Sequence, residues 1–215
     1  MLNIFLGAGM DPNTEDLAAL KALKHADPIL FTTDDGRSYA LANSIPPEVL
    51  EALEALTPSV KYVKARRAWC LTVGEWLSCK ERLISKLMQR MTGRSLELGI
   101  KGPFSYDLEQ APMLGPWIAI RDPQYGGAIL IGMQVGHPTL KGPLINTSRL
   151  CAIDSGKAWA RTASRWYRLD NGGTTDNGLR PPAPKMAALQ HHALEFWQVQ
   201  ALIAEDQIYA GLRDE

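Results

Sequence analysis

The feature that most constrains the fold of this chain is a run of short apolar segments between residues 117 and 169, separated by turn-forming residues. Glycine, proline, asparagine and aspartate interrupt these segments at residues 122–127, 136–142 and 154–156. Such a pattern predicts strands joined by tight turns. No interval is long enough for a crossover helix, so we expect one contiguous, mainly antiparallel sheet. The predicted strands are Trp117–Ile120, Ala128–Val135, Leu144–Asn146, Leu150–Ile153 and Ala158–Leu169.

The same stretch carries three successive motifs, GHPTL, NTSRL and WARTASRWYRL. Together they resemble a short β-module found in uncharacterised proteins of bacteria, phages and mobile elements. The resemblance is confined to residues 136–169 and implies no activity and no catalytic residue. It implies a β-structure and a bacterial, phage or mobile-element source.

Helical patterns dominate the chain before this sheet. Thr14 can cap a first helix, and Pro46-Pro47 suits the first turn of a second, where a missing N–H is harmless. Asp34-Asp35-Gly36 lies between two apolar runs and predicts a hairpin. Residues 2–6 predict a short N-terminal strand.

The clearest helix is predicted over Val73–Met91. Thr72 and Glu75 have the spacing of a capping box, and Gly93 suits the helix end. The following stretch, Leu98–Pro116, contains several glycines and prolines and is predicted to be a loop.

The end of the chain predicts a linker and a long helix. Residues 170–184 read DNGGTTDNGLRPPAP, a composition typical of exposed linkers, and the apolar period over Lys185–Leu212 indicates one helix. We therefore predict an α+β protein with a mixed helical region (1–102), an antiparallel β-module (103–170) and a linker with a C-terminal helix (171–215). These regions form either separate units or one compact domain.

Composition points to a globular protein of the cytoplasm. The apolar content of 46% and the charged content of 21% are ordinary for a globular domain. There is no apolar run of membrane-spanning length, and Met1–Met10 lacks the basic start of a signal peptide. The three cysteines are an odd number without CxxC spacing, which argues against a disulfide framework or zinc site and favours a reducing compartment.

The charges are unevenly distributed although the net charge is zero. Residues 1–56 carry nine acidic and three basic side chains, whereas residues 57–102 carry three acidic and ten basic ones. Basic residues interleaved with Tyr62 and Trp69 could follow a phosphate backbone, or they could form an ordinary solvated face. Arginines beside tryptophans near residue 165 form a second candidate recognition surface, or they simply cover an exposed face of the sheet. The candidate binding residues are Lys61, Lys64, Arg66, Arg67, Arg82, Lys86, Arg90, Arg161 and Arg165.

These patterns favour a non-enzymatic binding protein whose partner is nucleic acid or an acidic protein, with no membrane and no cofactor involved. With the module resemblance, they suggest a phage or mobile-element accessory or anti-defence factor. The alternative is a small nucleotide-processing enzyme with a phosphate site at Gly7, Gly9 and Asp11.

Other chemistries have less support from the sequence. His137 with Ser148 and Asp154 could form a nucleophilic site, but no nucleophile elbow accompanies them. The adjacent His191 and His192 lack metal-ligand spacing, so we expect neither a metal site nor a catalytic residue.

Overall fold

The computed structural model describes residues 11–57, 59–124, 126–170 and 184–213. The predicted strand at residues 2–6 and most of the predicted linker lie outside these residues. Helices and mainly antiparallel sheets make up the described chain, so the predicted α+β class is confirmed. Within the described residues, no helix is both long enough and apolar enough to span a bilayer.

The chain divides into two units. The large unit comprises Met1–Asn13 and Met91–Glu215, and the small unit comprises Thr14–Arg90. The division falls inside one helix, Val73–Lys101. In the large unit, the side chain of Asn13 donates a hydrogen bond to the carbonyl of Met91 at 3.3 Å.

The small unit combines a four-stranded antiparallel sheet with helices. Its elements are α1 (Thr14–Lys24), β1 (Leu30–Thr32), β2 (Ser38–Leu41), α2 (Pro47–Leu56), β3 (Val63–Ala65), β4 (Ala68–Thr72) and the first part of α3 (Val73–Lys101). The sheet has the order β1-β2-β4-β3, and the predicted hairpin around Asp34-Asp35-Gly36 joins its first two strands. The helices and one sheet face form a core in which Leu23, Val49, Leu53, Leu71 and Leu83 are fully buried.

Helix α3 begins where the sequence predicts and ends ten residues later than predicted. The backbone N–H of Glu75 donates to Thr72 Oγ1 at 3.1 Å, as expected for the predicted cap. Gly93 lies inside the helix, because Leu96 beyond it is buried and its packing outweighs the low helix propensity of one glycine. The helix ends instead before Gly102, whose φ of +75° is the left-handed conformation that follows many helices.

The stretch predicted as a loop before the β-module is partly ordered into elements. It holds the end of α3, a short helix α4 (Ser105–Glu109) and the beginning of the first strand of the large sheet. The prediction of a loop was wrong here: Gly102, Pro103 and Pro112 lie between elements, whereas Gly99 lies inside α3 and Gly115 and Pro116 lie inside the first strand of the large sheet.

The large unit contains the single, mainly antiparallel sheet predicted for residues 117–169. The strands are β5 (Met113–Arg121), β6 (Ala128–Val135), β7 (Leu144–Asn146), β8 (Leu150–Ile153), β9 (Trp159–Thr162) and β10 (Trp166–Leu169). Their order in the sheet is β7-β6-β5-β10-β9-β8, and one pair, β5 with β10, is parallel. Helix is absent from the described residues between 117 and 169.

The predicted last strand, Ala158–Leu169, is wrong in one respect, because the structure folds it into the hairpin β9–β10. The hydroxyl of Thr162 accepts hydrogen bonds from the backbone N–H groups of Ser164 and Arg165 at 3.4 and 3.3 Å. Serine and threonine hydroxyls stabilise turns in this way. The turn reverses the chain, so the side chains on either side of it no longer alternate as one strand.

The C-terminal region is helical as predicted but is divided. It consists of α5 (Pro184–Leu189), a 3₁₀ turn (Gln190–His192) and α6 (Phe196–Tyr209). The division arises because the backbone N–H of Leu194 donates to the carbonyl of Ala119 on β5 at 2.7 Å. This tertiary hydrogen bond holds the chain extended between the two helices.

Both faces of the large sheet are covered by these helices. Val199 and Ile203 of α6 pack with Leu130 on one face. Met186 of α5 packs with Ile118 and Ile131 on the other face. Arg149 forms an ion pair with Asp206 of α6, with Nε 2.7 Å from Oδ2, which fixes this helix further.

Two glycines of α3 test how the helix packs on the sheet. A Cβ on Gly99 would lie 2.4 Å from the Cβ of Ala152, whereas a Cβ on Gly93 would meet nothing within 4 Å. We expect Gly99→Ala to lower the free energy of unfolding by about 1–3 kcal/mol, because the helix must shift away from β8. Gly93→Ala should raise it by about 0.5–1 kcal/mol through helix propensity. Urea unfolding of both variants measures the difference, and equal effects would contradict this packing.

Candidate nucleic-acid interface

Three candidate binding residues, Arg82, Lys86 and Arg90, follow at intervals of four on α3 and form a basic row whose side chains make contacts inside the small unit. Nε of Arg90 lies 2.9 Å from Oδ2 of Asp16, a carboxylate that is only 2% exposed, and the same guanidinium also contacts Oδ1. The ammonium of Lys86 donates to the carbonyl of Leu56 at the end of α2. The row therefore joins α3 to α1 and α2.

Arg82 completes this row and is also engaged. Its Nη2 lies 3.2 Å from Oε1 of Glu75 and 3.2 Å from Sγ of Cys79. Burial raises the pKa of the Cys79 thiol, which keeps it protonated at neutral pH. The three cations of α3 thus have structural partners, and they are not a free row facing a polyanion.

Arg161 is buried in the large unit, contrary to the expectation that its guanidinium is open to a partner. Its side chain is 0% exposed and contacts both carboxylate oxygens of Asp11. Two of its nitrogens lie 3.0 and 3.2 Å from Oγ of Ser95, and its guanidinium carbon lies 5.3 Å from the ring centre of Trp166. Arg165 is half-buried in the β9–β10 turn of the same unit.

The remaining predicted cations belong to the hairpin β3–β4. We call residues 61–72 the basic hairpin; it carries Lys61, Lys64, Arg66 and Arg67, all of them exposed. Lys64 stands directly opposite Trp69 in the antiparallel register, so the two side chains share one face. Trp69 is 62% exposed. The hairpin thus brings an indole beside a cation at the surface.

The turn of the basic hairpin has an unusual backbone. Ala65 pairs with Ala68, which leaves Arg66 and Arg67 as a two-residue connection with φ of +45° and +67°. Asparagine and glycine are the residues that normally occupy such a turn, since the left-handed conformation costs other residues roughly 1–2 kcal/mol each. Two arginines at these positions are therefore a strained choice, of the kind that accompanies function.

Arg66 is held against the neighbouring strand β1. Its guanidinium carbon lies 5.5 Å from the ring centre of Phe31, and its Nη2 donates to the carbonyl of Thr32 at 3.2 Å. Asp34 lies 3.9 Å from the same nitrogen, as an exposed and weak ion pair. The ring of Phe31 also stacks on the ring of Tyr39, with 5.6 Å between their centres, so Arg66 packs on a pair of aromatic side chains.

The other hairpin cations have no such partner. Across the residues that the structure describes, the side chains of Lys61, Lys64 and Arg67 form no ion pair and no hydrogen bond. The sequence predicted these residues through their interleaving with aromatics. It did not indicate Phe31 or the strained turn, because both depend on strand pairing. A surface with free cations, a fixed guanidinium and an exposed indole can contact phosphates and stack on bases.

The residues singled out for other chemistries have structural contacts where the structure describes them. Nδ1 of His137 accepts hydrogen bonds from the backbone N–H groups of Thr139 and Leu140, and so orders its own turn. Gly7 and Gly9 lie outside the described residues, and Asp11 is bound to Arg161. In the described part of the chain, no three or more His, Cys, Asp or Glu residues could together hold a metal ion. Burial raises the pKa of Cys151 to about 12, which leaves its thiol neutral.

Residues 83–178 match the model of a family of unknown function (DUF6634). The matched residues include the second half of α3 and every strand of the large sheet. No curated protein and no solved structure matches the chain. The family match is therefore consistent with the resemblance to uncharacterised proteins. It does not indicate an activity.

The engaged row on α3 makes a stability prediction. Arg90→Ala should lower the free energy of unfolding by about 2–3 kcal/mol, because it removes the guanidinium that contacts both oxygens of the buried Asp16 carboxylate. Arg82→Ala should leave it nearly unchanged, since both Arg82 and Glu75 reach solvent. Thermal and urea unfolding of the two variants measures the contrast, and an Arg90→Ala protein as stable as wild type would contradict it.

The strained turn of the basic hairpin predicts a variant that is more stable than wild type. Arg67→Gly should raise the free energy of unfolding by about 1 kcal/mol, because glycine adopts the left-handed conformation without steric cost. Arg67→Ala, which removes the same side chain and keeps a Cβ, is the matched control and should not stabilise. Urea unfolding of both variants separates backbone strain from side-chain effects.

Proposed function

We propose that this protein is a non-enzymatic nucleic-acid-binding protein and that the basic hairpin is its contact surface. The observation that supports the proposal is the exposed pair of Lys64 and Trp69 beside the two turn arginines. Arg82, Lys86, Arg90 and Arg161 are left out of the proposed surface because each has a partner within its own unit. Arg165 is left out because it is half-buried in the large unit.

The cations of the basic hairpin suit a phosphate backbone. Four of them occur within seven residues, and Lys61, Lys64 and Arg67 keep their hydrogen-bond donors for solvent or a ligand. Each phosphate that they neutralise releases counterions, so binding should weaken as salt is added. The fixed guanidinium of Arg66 loses less conformational freedom on binding than a free side chain would.

The exposed indole favours unpaired bases over a duplex. Trp76, Trp117 and Trp166 are all buried in the cores, whereas Trp69 is mostly exposed. Stacking of a base on an aromatic side chain contributes about 1–3 kcal/mol, and it requires a base that is not already stacked in a helix. Single-stranded nucleic acid is therefore the form that this surface fits best.

The proposed setting is the cytoplasm of a bacterium, with a phage or mobile element as the source and an accessory or anti-defence role. The motif resemblance in residues 136–169 supports the source, and three buried free thiols are compatible with a reducing compartment. An acidic protein partner would use the same cations and remains the second candidate. The nucleotide-processing alternative has less support, since Asp11 is engaged by Arg161.

The test is a charge reversal on the basic hairpin with a matched control. Lys64→Glu with Arg67→Glu should weaken binding to a labelled single-stranded oligonucleotide by about tenfold or more, because two phosphate contacts become repulsive. Lys21→Glu with Lys24→Glu makes the same change of net charge on the exposed side of α1 and should reduce binding far less. Fluorescence anisotropy at several salt concentrations measures both, and Trp69→Ala should selectively reduce the preference for single strands over duplex.

Three results would contradict the proposal. Equal losses in the two double variants would indicate a non-specific charge effect. Unchanged binding by the hairpin variant would place the contact elsewhere. A partner that is recovered from nuclease-treated lysate by wild type, and lost in the hairpin variant, would favour the acidic protein.

A further inference from the structure

A groove lies between α6 and the end of β5 in the large unit, away from the basic hairpin in sequence. Its volume is about 350 Å³, and its wall is mostly apolar. It is lined by Arg121, Leu194, Trp197, Gln198, Ala201, Leu202 and Glu205. The groove has room for a large apolar side chain, and two of its lining residues are charged.

The helix that borders the groove presents aromatic side chains to solvent. Trp197 is 67% exposed and Tyr209 is 82% exposed, although both residue types are usually packed. Trp197, Ala201, Glu205 and Tyr209 follow at intervals of four residues, so they lie along one side of α6. Ala201, in the middle of this side, allows another helix to approach closely.

Two charged residues of opposite sign line the groove. Arg121 and Glu205 line the same groove, and across the described residues neither side chain forms an ion pair or a hydrogen bond. A surface that carries a positive and a negative charge side by side can be complementary to a second copy of itself. Under a two-fold rotation, Arg121 of each copy can meet Glu205 of the other, so the pair forms twice.

We propose that a second copy of this chain docks on this face, with the two α6 helices antiparallel and crossing near Ala201. Trp197 of each copy enters the groove of the other, and Tyr209 closes the contact toward the helix end. Stable interfaces bury at least about 600 Å² per partner. Two aromatic side chains that each bury roughly 150–250 Å² supply about half of this area, and the helix flanks supply the rest.

Sedimentation velocity of the full chain over a range of concentrations tests the proposal. Wild type should form a dimer. Trp197→Ala should weaken the dimer by about thirtyfold or more, as expected for a central tryptophan anchor. Trp69→Ala, a comparably exposed tryptophan in the small unit, should leave the dimer unchanged. Trp197→Ala should not change the affinity of each protein chain for the oligonucleotide. The dimer proposal and the nucleic-acid proposal can therefore be contradicted independently.

A charge exchange identifies the interface by its symmetry. Arg121→Glu and Glu205→Arg should each weaken the dimer by roughly tenfold, because every substitution creates two like-charged pairs. The double variant, which restores opposite charges across the axis, should recover most of the affinity. Circular dichroism checks that all variants remain folded.

Two outcomes would overturn the inference. The first is a wild type that stays monomeric at the highest concentration, which would leave the groove for a different partner or for a segment of this chain. The second is a dimer whose affinity is insensitive to Trp197→Ala and to both charge reversals, which would place its interface on another face.

Discussion

The guanidinium of Arg161 is the constraint on which the large unit depends. It lies in the interior without solvent, so it requires a carboxylate and further acceptors to compensate for its lost hydration. Asp11 supplies the charge and Ser95 supplies a hydroxyl, and these residues come from the segment before α1 and from α3. One buried cation on β9 therefore holds together elements that are far apart in sequence. Removal of the Asp11 carboxylate would take away the anion that compensates this buried guanidinium.

Burial sorts the many cations of this chain into two groups. Arg90 and Arg161 reach carboxylates that are partly or wholly enclosed, and Arg149 pairs with Asp206 under α6. These cations stabilise the packing of helices and strands within each unit. Lys61, Lys64 and Arg67 lie on a hairpin that projects them into solvent, at a turn whose backbone strain gives no benefit to folding. Arg66 of this turn is held by Phe31 and the carbonyl of Thr32, whereas the Arg67 side chain extends into solvent.

The sequence predicts local features of the fold well and non-local ones poorly. Apolar runs and turn residues are local, so strands β6, β7 and β8 have the predicted bounds. The end of α3 and the division of the C-terminal helix depend on contacts with the sheet, such as the hydrogen bond between Leu194 and Ala119, and periodicity does not encode them. The candidate interface shows the same limit. A cluster of basic residues is visible in the sequence, but whether Arg90 faces water or Asp16, 74 residues away, is decided by tertiary structure.

The contact between Asn13 and Met91 has a consequence for the history of this chain. The polypeptide leaves the large unit after Asn13 and returns at Met91, and the two points are joined by a direct hydrogen bond. The small unit thus has the topology of an insertion into a host, and inserted domains are tolerated where the host's ends lie close together. The residues that match the family model begin only eight residues before the return point. Because the chain leaves and re-enters the large unit at adjacent points, the small unit can change in length with little effect on the backbone path of the large sheet.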